Sequence, residues 1–175
     1  AGQVFGGPVR QFLNRLAAAG CDIALITALT GHFCFAETRR ISPMALMDGT
    51  GVIEKYCQDN GIKTLGILGS KAVLETKLFG LLSAVEVVVP LAWLDEVGRT
   101  YMELAKTGVC DVQQRSMLFE VGKSMVDDQN ADAVLLAGTD LGLAFDGQAP
   151  GFRVIDAIEL HVQALVSLVA ENDIG

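Results

Sequence analysis

The chain has 175 residues, of which 51% are hydrophobic, and a formal charge of −8 from 13 basic and 21 acidic side chains. With a mean hydropathy of +0.41, it can bury one full core or two small lobes, which argues against disorder. No basic cluster exists beyond Arg39-Arg40, so nucleic acid is a disfavoured partner; the most apolar stretch, Leu81 to Leu94, is broken by Glu86 and Pro90 and does not read as a membrane span.

The first residues show no basic segment followed by an apolar one, hence no visible signal peptide. With no initiator Met, the sequence reads as processed, truncated or part of a longer chain. Gly7-Pro8 predicts a helix start, and Val9, Phe12, Leu13, Leu16 and Ala17 form one apolar face that ends at Gly20. Asp22 to Thr27 predicts a strand that empties into the turn Ala28 to His32. A short helix follows over Phe33 to Arg40, then a short strand within Ser42 to Met47. Asp48-Gly49-Thr50 supplies a turn and a cap for a helix from Gly51 that stops at Asn60-Gly61.

Lys63 to Leu68 is the next strand. Gly69-Ser70 is a compact turn, with Ser70 capping a helix predicted over Lys71 to Gly80. Val85 to Val89 is a strand ended by Pro90. Leu91, Leu94, Val97, Tyr101 and Leu104 mark a helix, which Gly98 weakens. Gln113 to Asp127 is helical, with Leu118, Val121 and Met125 inward. The apolar run Ala133 to Ala137 is a buried parallel strand that leads into Gly138-Thr139-Asp140. A loop at Gly147 to Gly151 precedes the strand Phe152 to Ile155. The last helix, Ala157 to Ala170, is apolar on most faces and is expected to be largely buried. Alternating strands and helices make an α/β chain with parallel sheet, whose ligands belong at the carboxyl ends of the strands.

The cysteines are Cys21, Cys34, Cys57 and Cys110; none pairs as CxxC and only two histidines are present. A zinc site is therefore not expected, and a reducing cytoplasm is the simplest compartment. Cys21 and Cys57 lie among apolar residues and read as small core side chains.

Four segments resemble the aspartate/glutamate racemase family, in its order and at about its spacing. Ala28-Leu-Thr-Gly-His32 is similar to its Cys-Asn-Thr-Ala-His motif, and Ala137-Gly-Thr-Asp140 to its Gly-Cys-Thr-Glu. Leu65 to Ser70 is similar to its Leu-Gly-Thr turn, and Val154 to His161 to its Ile-Asp-Thr-Thr-…-Leu-His segment. The resemblance implies two similar α/β lobes with parallel sheets, flanking helices and a cleft between them. By that reading residues 1–49 form the first lobe, rejoined by the terminal helix 156–175, and residues 50–155 form the second. The first lobe is incomplete, because the family's opening strand–helix unit is missing. It also implies an isomerase independent of pyridoxal phosphate and needing no cofactor or metal, which takes a small carboxylate or amino acid and pairs as a homodimer.

Two departures bear on chemistry. Ala28 and Gly138 stand where the family has its two cysteines, the groups that remove and return an α-proton on opposite faces. Neither residue transfers protons, so the two-cysteine mechanism cannot run unchanged. Leu29 replaces an Asn, and with Val73 suggests a less polar pocket. The remaining acid/base candidates are His32, His161 and Asp140. Each histidine is either a satisfied structural group or a cleft acid or base; Asp140 is either a cleft carboxylate or a turn cap. Cys34 reads as a packing thiol. Thr30, Thr139 and Ser70, with the backbone of Gly69 and Gly138, could hold carboxylates, or could satisfy only their own turns. The expectation is therefore a racemase-like protein with altered catalytic groups, or a silent homologue that binds without catalysis.

Overall fold

The computed structural model describes residues 2–172, with side chains from 7 to 170; the far end of the expected terminal helix segment, residues 173–175, lies outside the described residues. In chain order the elements are α1 (Gly2–Ala18), β1 (Ile23–Leu25), a 3₁₀ segment (Leu29–Cys34), α2 (Phe35–Ile41), β2 (Ala45–Met47), α3 (Gly49–Asp59), β3 (Thr64–Gly69) and α4 (Lys71–Glu75). Then come β4 (Glu86–Val88), α5 (Leu94–Thr107), α6 (Val112–Gln129), β5 (Ala133–Ala137), α7 (Gly142–Phe145), β6 (Val154–Asp156) and α8 (Ala157–Asn172). All six expected strands are present and every pairing is parallel. β1 pairs with β2 in one small sheet, and the rest form a four-stranded sheet in the order β4-β3-β5-β6.

β3 and β5 are central because their apolar runs tolerate cover on both faces: Leu65, Ile67, Leu68 and all five residues of β5 are buried. Such runs suit a parallel sheet flanked by helices. The amino ends of β3 and β5 are pinned by Asp132, whose carboxylate accepts the backbone N–H of Lys63 at 2.8 Å and of Thr64 at 2.9 Å. These two donors hold its pKa below the usual value. Asp48 caps α3 as expected, accepting from the N–H of Thr50 and Gly51 at 3.0 and 3.1 Å and from the Thr50 hydroxyl at 2.7 Å. A reciprocal Asp111–Gln114 capping box starts α6.

The structure departs from the expected elements in several places. α4 stops at Glu75 instead of Gly80, and Lys77, Leu78, Phe79 and Gly80 all have positive φ. This left-handed turn costs about 1–2 kcal/mol per non-glycine residue. It is held by tertiary contacts: Leu78 is fully buried and Phe79 packs on Phe33 at 6.2 Å between ring centroids. α8 is not largely buried. Leu160 and His161 are inside, but Val162, Val166 and Val169 face outward, as does Phe12 on α1. Cys57 is in the core, whereas Cys21 is exposed. Leu29 and Val73 are both buried in the main core cluster. α7 was not expected, because four residues are too few to show a periodicity.

Candidate functional site

His32 and His161 reach one place from opposite ends of the chain. His32 comes from the 3₁₀ segment after β1 and His161 from the second turn of α8. Both rings are buried, at 1% and 0% exposure, and they lie 6.4 Å apart at 25° to each other. Between them lies Gly49, the first residue of α3. His161 Nε2 sits 3.1 Å from the Gly49 carbonyl oxygen. A Cβ on Gly49 would fall 2.6 Å from His161 Nε2 and 2.9 Å from His32 Nε2. Only a residue without a side chain lets both rings close on this helix start. Burial lowers both histidine pKa values; the nearby Asp48 carboxylate opposes this at each ring, less strongly. Both nitrogens of His32 and Nδ1 of His161 have no hydrogen-bond partner among the described residues. Both rings are turned inward and buried.

The other expected residues sit at strand ends. Gly69 pairs with Ala137, so Ser70 and Gly138 are neighbours at the carboxyl edge of the four-stranded sheet. The 3₁₀ segment bearing Thr30 packs on α3, α4 and the left-handed turn, which brings the first turn to the same edge. Ser70 is buried, and its hydroxyl accepts from Val73 N–H at 3.4 Å as a cap of the five-residue α4. The Thr139 hydroxyl donates to the Asp140 carboxylate at 2.8 Å; Thr139 is exposed and Asp140 half-buried. Thr30 is half-buried and Ala28 exposed.

No thiol stands at either strand end. Cys34 Sγ donates to the Gly31 carbonyl at 3.4 Å within its own turn and lies 3.6 Å from Thr38 Oγ1. Cys110 lies beside the Asp111 carbonyl, and burial raises its pKa. At Gly138 the space for a side chain is filled by Tyr101, whose ring carbons would lie 2.3–2.9 Å from a Cβ there. Tyr101 has the spacing of the inner face of α5 and reads from sequence as ordinary packing; its contact with Gly138 comes only through the fold. Among the described residues no group of three or more His, Cys, Asp or Glu could hold a metal ion, and no helix is long and apolar enough to cross a membrane.

Two cavities lie nearby, and neither is lined by Thr30, Ser70, Gly138 or Thr139. One, about 450 Å³, runs between α1 and β1 and reaches Ala28. The other, about 460 Å³, is lined by Tyr56, Phe145, Asp146, Phe152, Asp156 and Glu159. Burial raises the pKa of Asp156, with Asp146 and Glu159 adding to it, although the Ile158 N–H at 2.7 Å opposes the shift.

A parallel α/β molecule with polar turns at its strand ends belongs to the open-sheet class whose ligand sites, where present, lie at those ends, and comparison names the family. The Asp/Glu/Hydantoin racemase model matches residues 2–165, and the chain belongs to that family. No curated protein matches it in sequence. Among solved structures it resembles an aspartate racemase homologue from Pyrococcus horikoshii OT3, with TM-score 0.80 and 21% identity over 92% of this chain and 72% of that one. It also resembles the aspartate racemase of Picrophilus torridus, with TM-score 0.74 and 18% identity over 94% and 69% of the two chains. Glutamate racemase from Francisella tularensis, solved with D-glutamate, gives TM-score 0.62 and 16% identity over 98% and 67%. At these identities the likeness shows the fold.

Proposed function

We propose that the strand ends form a hollow, between a first lobe of residues 1–49 rejoined by the terminal helix and a second lobe of residues 50–155, and that this hollow receives a small carboxylic or amino acid. We further infer that the chain holds this acid without two-face proton transfer. One observation supports this reading: the positions that resemble the family's two cysteines are Ala28, with a methyl group, and Gly138, whose side-chain space is filled by Tyr101. Two-face chemistry needs an acid and a base on opposite sides of Cα, and both histidine candidates are buried. Thr30, Thr139, Asp140 and the backbone of Gly69 and Gly138 are placed to contact the ligand in this reading, with Asp140 suited to its amine.

A second reading keeps catalysis with altered groups. It is favoured by Asp140, the one expected acid/base candidate that is not fully buried. The test is exchange of the α-proton of D- and L-aspartate and D- and L-glutamate in deuterated water, followed by NMR beside a binding titration. Binding without exchange is the expected result. Exchange with retention of configuration would move the assignment to one-sided carbanion chemistry, and inversion would overturn the binding reading.

A further inference from the structure

The side chain that position 138 lacks is supplied from elsewhere in the chain. α5 follows β4 and runs back along the sheet. Its side chains lean toward its own N-terminus, which lies at the carboxyl edge of the strands. Helix and edge are close: a Cβ on Gly98 would lie 3.0–3.2 Å from Cβ, N and Cα of Lys71, the first residue of α4. One turn further on, Tyr101 lays one ring edge over Gly138, with Cε2, Cζ and Cδ2 at 2.3, 2.8 and 2.9 Å from where a Cβ would be. Cζ carries the hydroxyl, so the phenol end of the ring lies over the turn after β5. Tyr101 is half-buried, and its hydroxyl has no partner among the described residues. The neighbouring Thr139 hydroxyl already donates to Asp140.

We propose that Tyr101 is a ligand-contacting, specificity-determining residue of this hollow: its ring forms the wall over Gly138 and its hydroxyl donates a hydrogen bond to the carboxylate of the bound acid. The proposal rests on the reading that the hollow receives such an acid. A phenol hydroxyl can donate one hydrogen bond, and a bond to a charged acceptor exceeds one between neutral groups. The fixed ring shortens the hollow on the β5 side, which selects compact acids over those with a bulky substituent at that end.

The chain has two tyrosines, so protein labelled with ¹³C at tyrosine Cε shows two sets of signals, and the Tyr101→Phe variant assigns them. Labelled wild type is titrated with L- and D-aspartate, L- and D-glutamate and malonate, and Kd values are compared with those of Tyr101→Phe. The proposal expects the Tyr101 signal to shift with saturation, Tyr56 to stay still, and Tyr101→Phe to weaken binding about tenfold or more. Binding that shifts the Thr139 and Asp140 amides but leaves Tyr101 unmoved, or leaves Kd within twofold in Tyr101→Phe, overturns the role of Tyr101 alone. A shift of Tyr56 instead places the acid in the cavity beside Asp156 and overturns both readings. If no acid binds, the cleft reading fails and the role of Tyr101 falls with it.

Discussion

Two glycines govern the site at the scale of single residues. Gly49→Ala would normally favour a helix, but here the new methyl group meets two buried imidazoles. It is expected to destabilise by about 1–3 kcal/mol, read as a lower urea midpoint. Gly138→Ala presses on Tyr101 in the same way. Its stability loss should shrink in the Gly138→Ala/Tyr101→Ala pair relative to the Tyr101→Ala background, because the two sites are in contact. The histidines add a pH dependence. Burial holds both below 6.5 in the folded chain, so the unfolded state binds more protons as pH falls. Their contribution is complete above pH 6.5 and is lost below it, toward the lower folded values. The slope is at most about 1.4 kcal/mol per pH unit for each ring. Urea midpoints at pH 7.5 and 5.5 should show this, and His32→Leu should remove about half of the slope.

At the scale of elements, the break after α4 is the place where local and tertiary preferences disagree. Lys77 is exposed yet sits at φ 48° and ψ 55°. Lys77→Gly should relieve that strain and raise stability by about 1 kcal/mol, seen as a higher melting temperature. The cap of α3 is the opposite case, in which local and global demands agree. Asp48→Ala removes a carboxylate that accepts two backbone N–H bonds and is expected to cost about 1–2 kcal/mol. Gly49, the pivot of the histidine pair, is the next residue, so the same variant should also flatten or displace the histidine titrations in ¹H NMR.

Across the whole molecule, the central strands β3 and β5 are buried while β1 is only half-buried, and apolar side chains are exposed on both terminal helices. Phe12 on α1 is 62% exposed and Val166 on α8 is 63% exposed, although both belong to apolar helix faces. Val166→Lys is therefore expected to change stability by no more than about 0.5 kcal/mol, and its melting curve should overlay that of the wild type. A loss of several kcal/mol would mean that this face is buried against something.

What could be read in advance follows the same physics. Strand positions were legible because β3 and β5 are unbroken apolar runs between turns, and the cap at Asp48 was legible because capping is local. The strand-end turns and the two histidines were legible as motifs, since order and spacing survive in one dimension. Whether a side chain points into a cleft or into the core depends on neighbours far along the chain. Hence the sequence could pick out His32 and His161 without showing that they close on Gly49. It could place a glycine at 138 without showing that Tyr101, arriving on another helix, occupies its space. The amino acids alone determine which segments become strands and that Ala28 and Gly138 carry no proton-transferring side chain. Tertiary packing decides what stands in the space they leave, because exclusion of one atom by another is settled only where the chain meets itself.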